Sequence, residues 1–174
     1  MPNRKRKPLV AVLDWKTAPS SNSGVDLETK VLGKFARVKY FLTDNESNFS
    51  PEILKADALI IWQNANITEN TISRLKNCRA LIRNGVGYDS VDIDAAARAG
   101  IPVCNVPDYG TEEVADHAIA LSLALTRQLF ALDAEAKKPG WKLVAKDKLR
   151  RTSTLTFGVV GLGRIGTATA LRAK

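Results

Sequence analysis

Leu155-Thr156-Phe157-Gly158-Val159-Val160-Gly161-Leu162-Gly163-Arg164-Ile165-Gly166 joins a short apolar run to a glycine-spaced turn, and a helix-forming run, Thr167 to Arg172, leaves it. The glycines have the G-x-G-x-x-G spacing, and each has a mechanical reason to be glycine. Gly161 permits a tight turn out of a strand, Gly163 lets the backbone approach a pyrophosphate, and Gly166 lets a helix pack close to the strand. A diphosphate is expected on the bare N–H groups at the helix start, favoured by the helix dipole. The spacing alone is a weak signal, shared with ordinary glycine-rich turns. The buried-looking strand before it and the helix after it supply the context for dinucleotide binding. The acidic ribose ligand, expected about 20 residues further on, falls past Lys174. The choice between NAD and NADP therefore cannot be read from these residues.

Upstream, short apolar runs alternate with helical stretches. Residues 8–15 (PLVAVLDW), 37–42, 58–62 (ALIIW), 80–83 and 102–106 read as strands. Residues 25–36, the stretch opened by Ser50 and Pro51, 68–75 and 92–99 read as helices. Ser50 and Thr68 are placed as N-caps, Pro51 at a first helical position and Gly100 as a stop. This alternation predicts parallel strands joined by right-handed crossovers, and the near-continuous apolar strands predict a sheet covered on both faces. Residues 8–107 are therefore expected to form a doubly wound α/β domain. A Gly- and Pro-free helix over about 112–137 follows, then a basic connector over 137–151, then a strand over 155–160. The predicted organisation is a disordered basic tail (1–7), an α/β domain (8–110), and a crossing helix with the first βα unit of a second domain (111–174). One strand and one helix cannot bury a core, so the chain reads as the N-terminal part of a longer protein.

A second informative loop is Arg83-Asn84-Gly85-Val86-Gly87-Tyr88-Asp89-Ser90-Val91-Asp92. It follows a strand at its carboxyl end, where open α/β sheets bind ligands. Successive backbone N–H groups there can form an anion concavity suited to a carboxylate. By itself the loop is also an ordinary glycine turn.

Three segments carry a resemblance: RNGVGYDSVDIDAAARAGIPVCNVP (83–107), TEEVADHAIALSLALTR (111–127) and TFGVVGLGRIGTATALRAK (156–174). Together they resemble the D-isomer-specific 2-hydroxyacid dehydrogenases, the group of phosphoglycerate, glycerate and formate dehydrogenases. Within it they are most similar to the C-terminal-binding-protein-like branch and its microbial relatives. The resemblance is strong over 78–128 and 155–174 and architectural over 1–77.

The resemblance implies a flavodoxin-like substrate domain followed by a Rossmann cofactor domain, here only begun. It implies that the backbone of Val86 and Gly87 holds the substrate carboxylate, with Asn84 to Val86 on the nicotinamide side. Val114 would lie near the cofactor, and Gly161, Gly163, Arg164 and Ile165, with Gly166 behind them, would take the pyrophosphate. The implied reaction is hydride exchange between C2 of a small D-2-hydroxy acid and NAD in a homodimer. The family's Arg, Glu and His all lie after the fingerprint, so no catalytic residue maps onto this chain, and the chain alone is expected to be inactive. The other function the resemblance allows is a cofactor-sensing corepressor that binds partner peptides.

The remaining features are read as structural. His117 is the lone histidine, but it sits at helical spacing on the crossing helix and is assigned a packing or interface role, with Asp116 beside it. Arg83 is expected to shape the loop and Arg127 to cap helix carbonyls or pair with an acid. Trp15 and Trp62 are placed in the core or cleft wall. Cys78 and Cys104 lack metal-ligand spacing and are expected to be buried thiols in a reducing compartment. The chain has 174 residues and a net charge of +8, with Arg4, Lys5, Arg6 and Lys7 in one run. That run reads as a solvated tail, or as a nuclear-import signal. No aromatic ladder accompanies the basic clusters, so nucleic acid is not an expected partner. No apolar run approaches the roughly 20 residues of a membrane span, and none follows the basic start as in a secretory signal. A cytoplasmic protein is expected.

Overall fold

The structure, a computed structural model, describes residues 6–14, 24–43, 45–62, 65–140 and 149–174. The chain divides into two compact units, Met1–Pro107 and Asp108–Lys174.

In the first unit, β1 (Leu9–Asp14), β2 (Arg37–Leu42), β3 (Ala58–Ile61), β4 (Leu81–Arg83) and β5 (Val103–Asn105) form one sheet in the order β2-β1-β3-β4-β5. Every pairing is parallel. This is the flavodoxin-like order, whose direction reverses between β1 and β3. Helices α1 (Gly24–Leu32), α2 (Pro51–Leu54), α3 (Glu69–Ile72) and α4 (Ile93–Arg98) lie in the connections. Leu9, Ala11 and Leu13 of β1, Leu59 and Ile61 of β3 and Leu81 of β4 share one face. They pack with Ile53, Ile67, Ile72, Leu75, Ala95 and Ala96 in a continuous core. Coverage of the second face is less complete than the apolar strands suggest: Val12 is buried, but Val10, Ile60 and Ile82 are only half-buried.

Local chemistry explains the helix ends. The Ser50 hydroxyl accepts from the Ile53 amide, with Pro51 in the first turn. Asp92 caps α4 by accepting from the Ala95 amide at 2.9 Å. Gly100 ends that helix at φ +69°, and the Ile101 amide bonds back to the Ala96 carbonyl at 2.9 Å, a Schellman arrangement in which glycine avoids a Cβ clash. Thr68 holds the cap position of α3 but makes no capping bond. Its hydroxyl donates to Glu46 at 2.6 Å, as does that of buried Thr71, while the Thr68 amide donates at 2.9 Å. A carboxylate 22 residues upstream thus serves the start of α3.

Burial alone would raise the Glu46 pKa, but the bonds from Thr68 and Thr71 and the charge of Arg74 outweigh it and hold the carboxyl below the usual glutamate value. A folded-state pKa below the unfolded one adds stability above the unfolded pKa that is lost as pH falls through the folded one. Glu46→Gln should therefore cost about 1–2 kcal/mol near neutral pH, the scale of hydrogen bonds to a charged group. The gap to the wild type should close on acidification, as read by thermal unfolding between pH 7 and pH 3.

Part of the expected tail is ordered. Arg6 pairs with Asp57 at 3.0 Å and the Lys7 ammonium donates to the Gly33 carbonyl at 3.0 Å. Residues 1–5 lie outside the described residues, as do Trp15, Trp141 and most of the basic connector.

The second unit corrects two expectations. The single helix over 112–137 is two helices, α5 (Thr111–Thr126) and α6 (Leu129–Ala136). Gln128 between them is left-handed at φ +52°, a conformation that costs an L-residue about 1–2 kcal/mol. The Ser122 hydroxyl bonds the Ala118 carbonyl and the Thr126 hydroxyl the Leu123 carbonyl; such back-bonding weakens a helix from within. The Arg127 backbone N–H caps α5 on the Leu123 carbonyl at 2.9 Å, while its side chain adds a long-range pull, donating to the Arg150 carbonyl at 3.3 Å.

The second correction concerns residues 155–160, which form no strand. A strand exists through a hydrogen-bonded neighbour, and among the described residues none lies beside this run. Phe157 is 44% and Val160 104% exposed, so the apolar side chains are present without the sheet they suit. Helix α7 (Arg164–Ala173) packs on α5 through small residues, with Ala115, Ala124, Ala168 and Thr169 buried.

Candidate functional site

The loop after β4 is tied down from one side. The Asn84 amide donates to the Ile61 carbonyl at 2.8 Å, which holds the loop's start at the carboxyl end of β3. Three successive carbonyls are then occupied. Arg83 Nη1 donates to the Asn84 oxygen at 2.6 Å, the Val106 amide to the Gly85 oxygen at 3.0 Å, and Asn105 Nδ2 to the Val86 oxygen at 2.8 Å. In a trans peptide the carbonyl and the next N–H point in opposite directions. Turning the Gly85 and Val86 carbonyls inward therefore turns the Val86 and Gly87 N–H groups outward. Among the described residues neither amide has a hydrogen-bond partner. Two adjacent free donors at the carboxyl end of a sheet make an anion concavity.

Gly85 is buried, and a Cβ there would stand 2.2 Å from Arg83 Nη1. Glycine lets the backbone cross the guanidinium that secures it, so Arg83 shapes the loop. The far end of the loop is pinned as well. The Ile67 amide bonds the Ser90 carbonyl at 2.8 Å and the Asp92 amide bonds the Ile67 carbonyl at 2.9 Å. Val86 (41%) and Tyr88 (48%) are left exposed above. Asn105, on β5, helps aim the turn by holding the Val86 carbonyl, and sequence reading overlooked it. Its only local signal is a polar residue in the strand segment PVCNV.

Two further polar groups near these loops were not anticipated. Trp62 Nε1, just past β3, and Ser90 Oγ are buried without a hydrogen-bond partner among the described residues. At the end of β1, buried Asp14 accepts from the Tyr40 hydroxyl. Burial and that carboxylate push the Tyr40 hydroxyl well above the ordinary tyrosine value.

In the second unit Gly161 adopts φ +89°, a left-handed conformation that favours glycine. A Cβ on Gly166 would sit 2.0 Å from the Gly161 carbonyl oxygen, so the start of α7 lies directly on the turn. Among the described residues nothing lies within 4 Å of where a Gly163 Cβ would be. The first intrahelical bond runs from the Thr167 amide to the Gly163 carbonyl at 2.8 Å. The amides of Arg164, Ile165 and Gly166 precede it and have no acceptor inside the helix. The cradle therefore suits a diphosphate on three counts: a positive-φ turn, bare first-turn amides and open space above the middle glycine.

A family model described as D-isomer specific 2-hydroxyacid dehydrogenase, catalytic domain, matches residues 12–172. The chain belongs to this dehydrogenase family. It is 33% identical over 167 residues to a D-3-phosphoglycerate dehydrogenase of Mycobacterium bovis, covering 95% of this chain and 30% of that protein. Among solved structures it is similar to a D-lactate dehydrogenase from Aquifex aeolicus complexed with NAD and lactic acid. The TM-score is 0.81 and the identity 27%, over 94% of this chain and 47% of that one. It is also similar to an NAD-dependent formate dehydrogenase from Staphylococcus aureus in complex with NAD, with TM-score 0.77 and 25% identity over 94% and 52% of the two chains. This family chain thus spans about a third to a half of the length of these relatives.

The other named residues of the family chain fall as follows. His117 is exposed on α5 and makes no hydrogen bond among the described residues. Asp116 is not its partner but Arg172's. Val114 is 48% exposed in the first turn of α5. Cys78 is buried as expected, whereas Cys104 is exposed, because β5 is an edge strand with nothing paired outside it among the described residues. No described helix is long and apolar enough to cross a membrane.

Proposed function

We propose that this chain supplies the carboxylate-binding turn and the diphosphate-binding turn of an NAD-dependent oxidoreductase that acts on the CH–OH group of a small D-2-hydroxy acid, or reduces the matching 2-oxo acid. The observation that carries this reading is the pair of outward, unpartnered amides at Val86 and Gly87. They hold the substrate carboxylate, and in the second unit Val114 lies close to the cofactor. The amides of Gly161, Gly163, Arg164 and Ile165 receive the diphosphate, with Gly166 holding the helix against the turn. When bound, the dinucleotide supplies the hydride acceptor or donor, and the protein orients it and excludes competing reactions. The similarity to dehydrogenases of D-lactate and of D-3-phosphoglycerate supports a small 2-hydroxy acid as the substrate class. A proton donor near the hydroxyl oxygen and a cation for the carboxylate come from the part of such enzymes that this chain does not span. Homodimerisation through α5, with its exposed Leu121, Leu123 and Leu125, and a cytoplasmic location complete the reading. The motif likeness to the C-terminal-binding-protein-like branch remains, but the corepressor alternative has no observation in its favour.

Amide-resolved NMR titration with pyruvate tests this. The Val86 and Gly87 resonances should move, and neither should respond to methyl pyruvate, which lacks the anion. Asn105→Ala frees the Val86 carbonyl and should weaken pyruvate binding up to about tenfold, the equivalent of 1.4 kcal/mol. Carboxylate binding centred elsewhere, or wild-type affinity in Asn105→Ala, would sink the assignment.

A further inference from the structure

Arg172, in the last turn of α7, commits three nitrogen atoms to acceptors. Nη2 donates to the Glu112 carboxylate, Nε to the Asp116 carboxylate, and Nη1 to the Ala168 carbonyl at 3.1 Å. Glu112 and Asp116 stand four residues apart on α5, hence on one face of that helix. A guanidinium is planar and its N–H groups point in fixed directions. Gripping two carboxylates on successive turns therefore restrains both the sliding and the rotation of α7 against α5. A single exposed ion pair would contribute little. Here one arginine, with its side chain 27% exposed, bridges two acids that are 70% and 68% exposed, and Ala115, Ala168 and Thr169 are buried in the same two helices.

Helix α7 has ten residues, about 15 Å of rigid rod at 1.5 Å per residue. Its last turn is held by Arg172, and its first turn carries the amides aimed at the diphosphate. Rotating the rod re-aims those amides. We propose that Arg172, clamped by Glu112 and Asp116, is a positioning residue for the dinucleotide turn: it fixes the rotation of α7 and so the direction of the Arg164 and Ile165 N–H groups, without touching the ligand. The proposal rests on the dinucleotide reading above.

The test measures NADH affinity by fluorescence for the full chain and for Arg172→Ala, Arg172→Lys, Glu112→Gln/Asp116→Gln and the Arg172→Ala/Glu112→Gln/Asp116→Gln combination. Hydrogen exchange at the Thr167 amide is followed in the same proteins. Arg172→Ala should weaken NADH about tenfold, the acid pair to Gln similarly, and the combination no further, because the residues act as one unit. Arg172→Lys keeps the charge but loses the fork, so it should stay weakened. Thr167 exchange should accelerate in each variant while the middle of α5 is unchanged. Rescue by lysine, additive losses, or wild-type affinity in a folded Arg172→Ala protein would overturn the proposal. Should Arg172→Ala fail to fold, the acid pair carries the same test. Should the wild type bind no NADH, the cofactor reading falls, and Thr167 exchange still decides whether Arg172 holds the turn.

Discussion

Gly166→Ala should abolish useful dinucleotide affinity while leaving the first unit folded. The added Cβ would stand 2.0 Å from the Gly161 carbonyl oxygen and 3.0 Å from its carbon. Both atoms are backbone in a turn already at φ +89°, so no rotamer change relieves the clash. The helix start must retreat by more than an ångström, and a misplacement of that size can cost about 100-fold where groups must be aligned. Gly163→Ala is the informative companion. Its Cβ meets nothing within 4 Å among the described residues, so folding should be unaffected and the loss should fall only on the ligand. Calorimetric titration with NADH beside far-UV circular dichroism separates the two effects. Near-wild-type binding by Gly166→Ala would show that the turn is not the cradle.

Leu59→Ala should be the most damaging single change to the fold. Leu59 is fully buried on β3, in register with Ala11 of β1 and Leu81 of β4. Truncating such a leucine costs about 2–5 kcal/mol, partly as lost transfer energy and partly as the cavity left behind. Domains of this size have only about 5–15 kcal/mol in total, so the melting temperature should fall by at least ~10 °C. Leu27→Ala on α1, where the leucine is 65% exposed, should be nearly silent. The site should soften with the core, because the Asn84 amide hangs from the Ile61 carbonyl two residues along the same strand. A Leu59→Ala melting curve that overlays the wild type would mean that the core lies elsewhere.

What sequence reading captured is local. Alternating apolar runs mark all five strands because each run carries its own periodicity. Ser50 and Gly100 mark helix ends because their chemistry acts within a few residues. What it missed depends on partners far away in the chain. Asn105 reaches Val86 across 19 residues, and Arg172 reaches Glu112 across 60. The break at Gln128 has no glycine or proline to announce it; it comes from two hydroxyls and a long-range arginine contact. Residues 155–160 have the composition of a strand, but strand geometry is a property of a pair. Likewise the two glycine turns were legible as spacing, whereas the outward direction of the Val86 and Gly87 amides depends on which groups hold the carbonyls behind them.

The unlike surroundings of the two cysteines have a practical side. Cys78 is shielded, its thiol bonded to the Ala80 carbonyl and its pKa pushed up by burial, so little thiolate is available to attack a maleimide. Cys104 stands open on β5, one residue from Asn105. A fluorophore added to the untouched protein should therefore attach at a single point, on the face of β5 opposite the Asn105 side chain and clear of the Val86 turn, without an engineered handle.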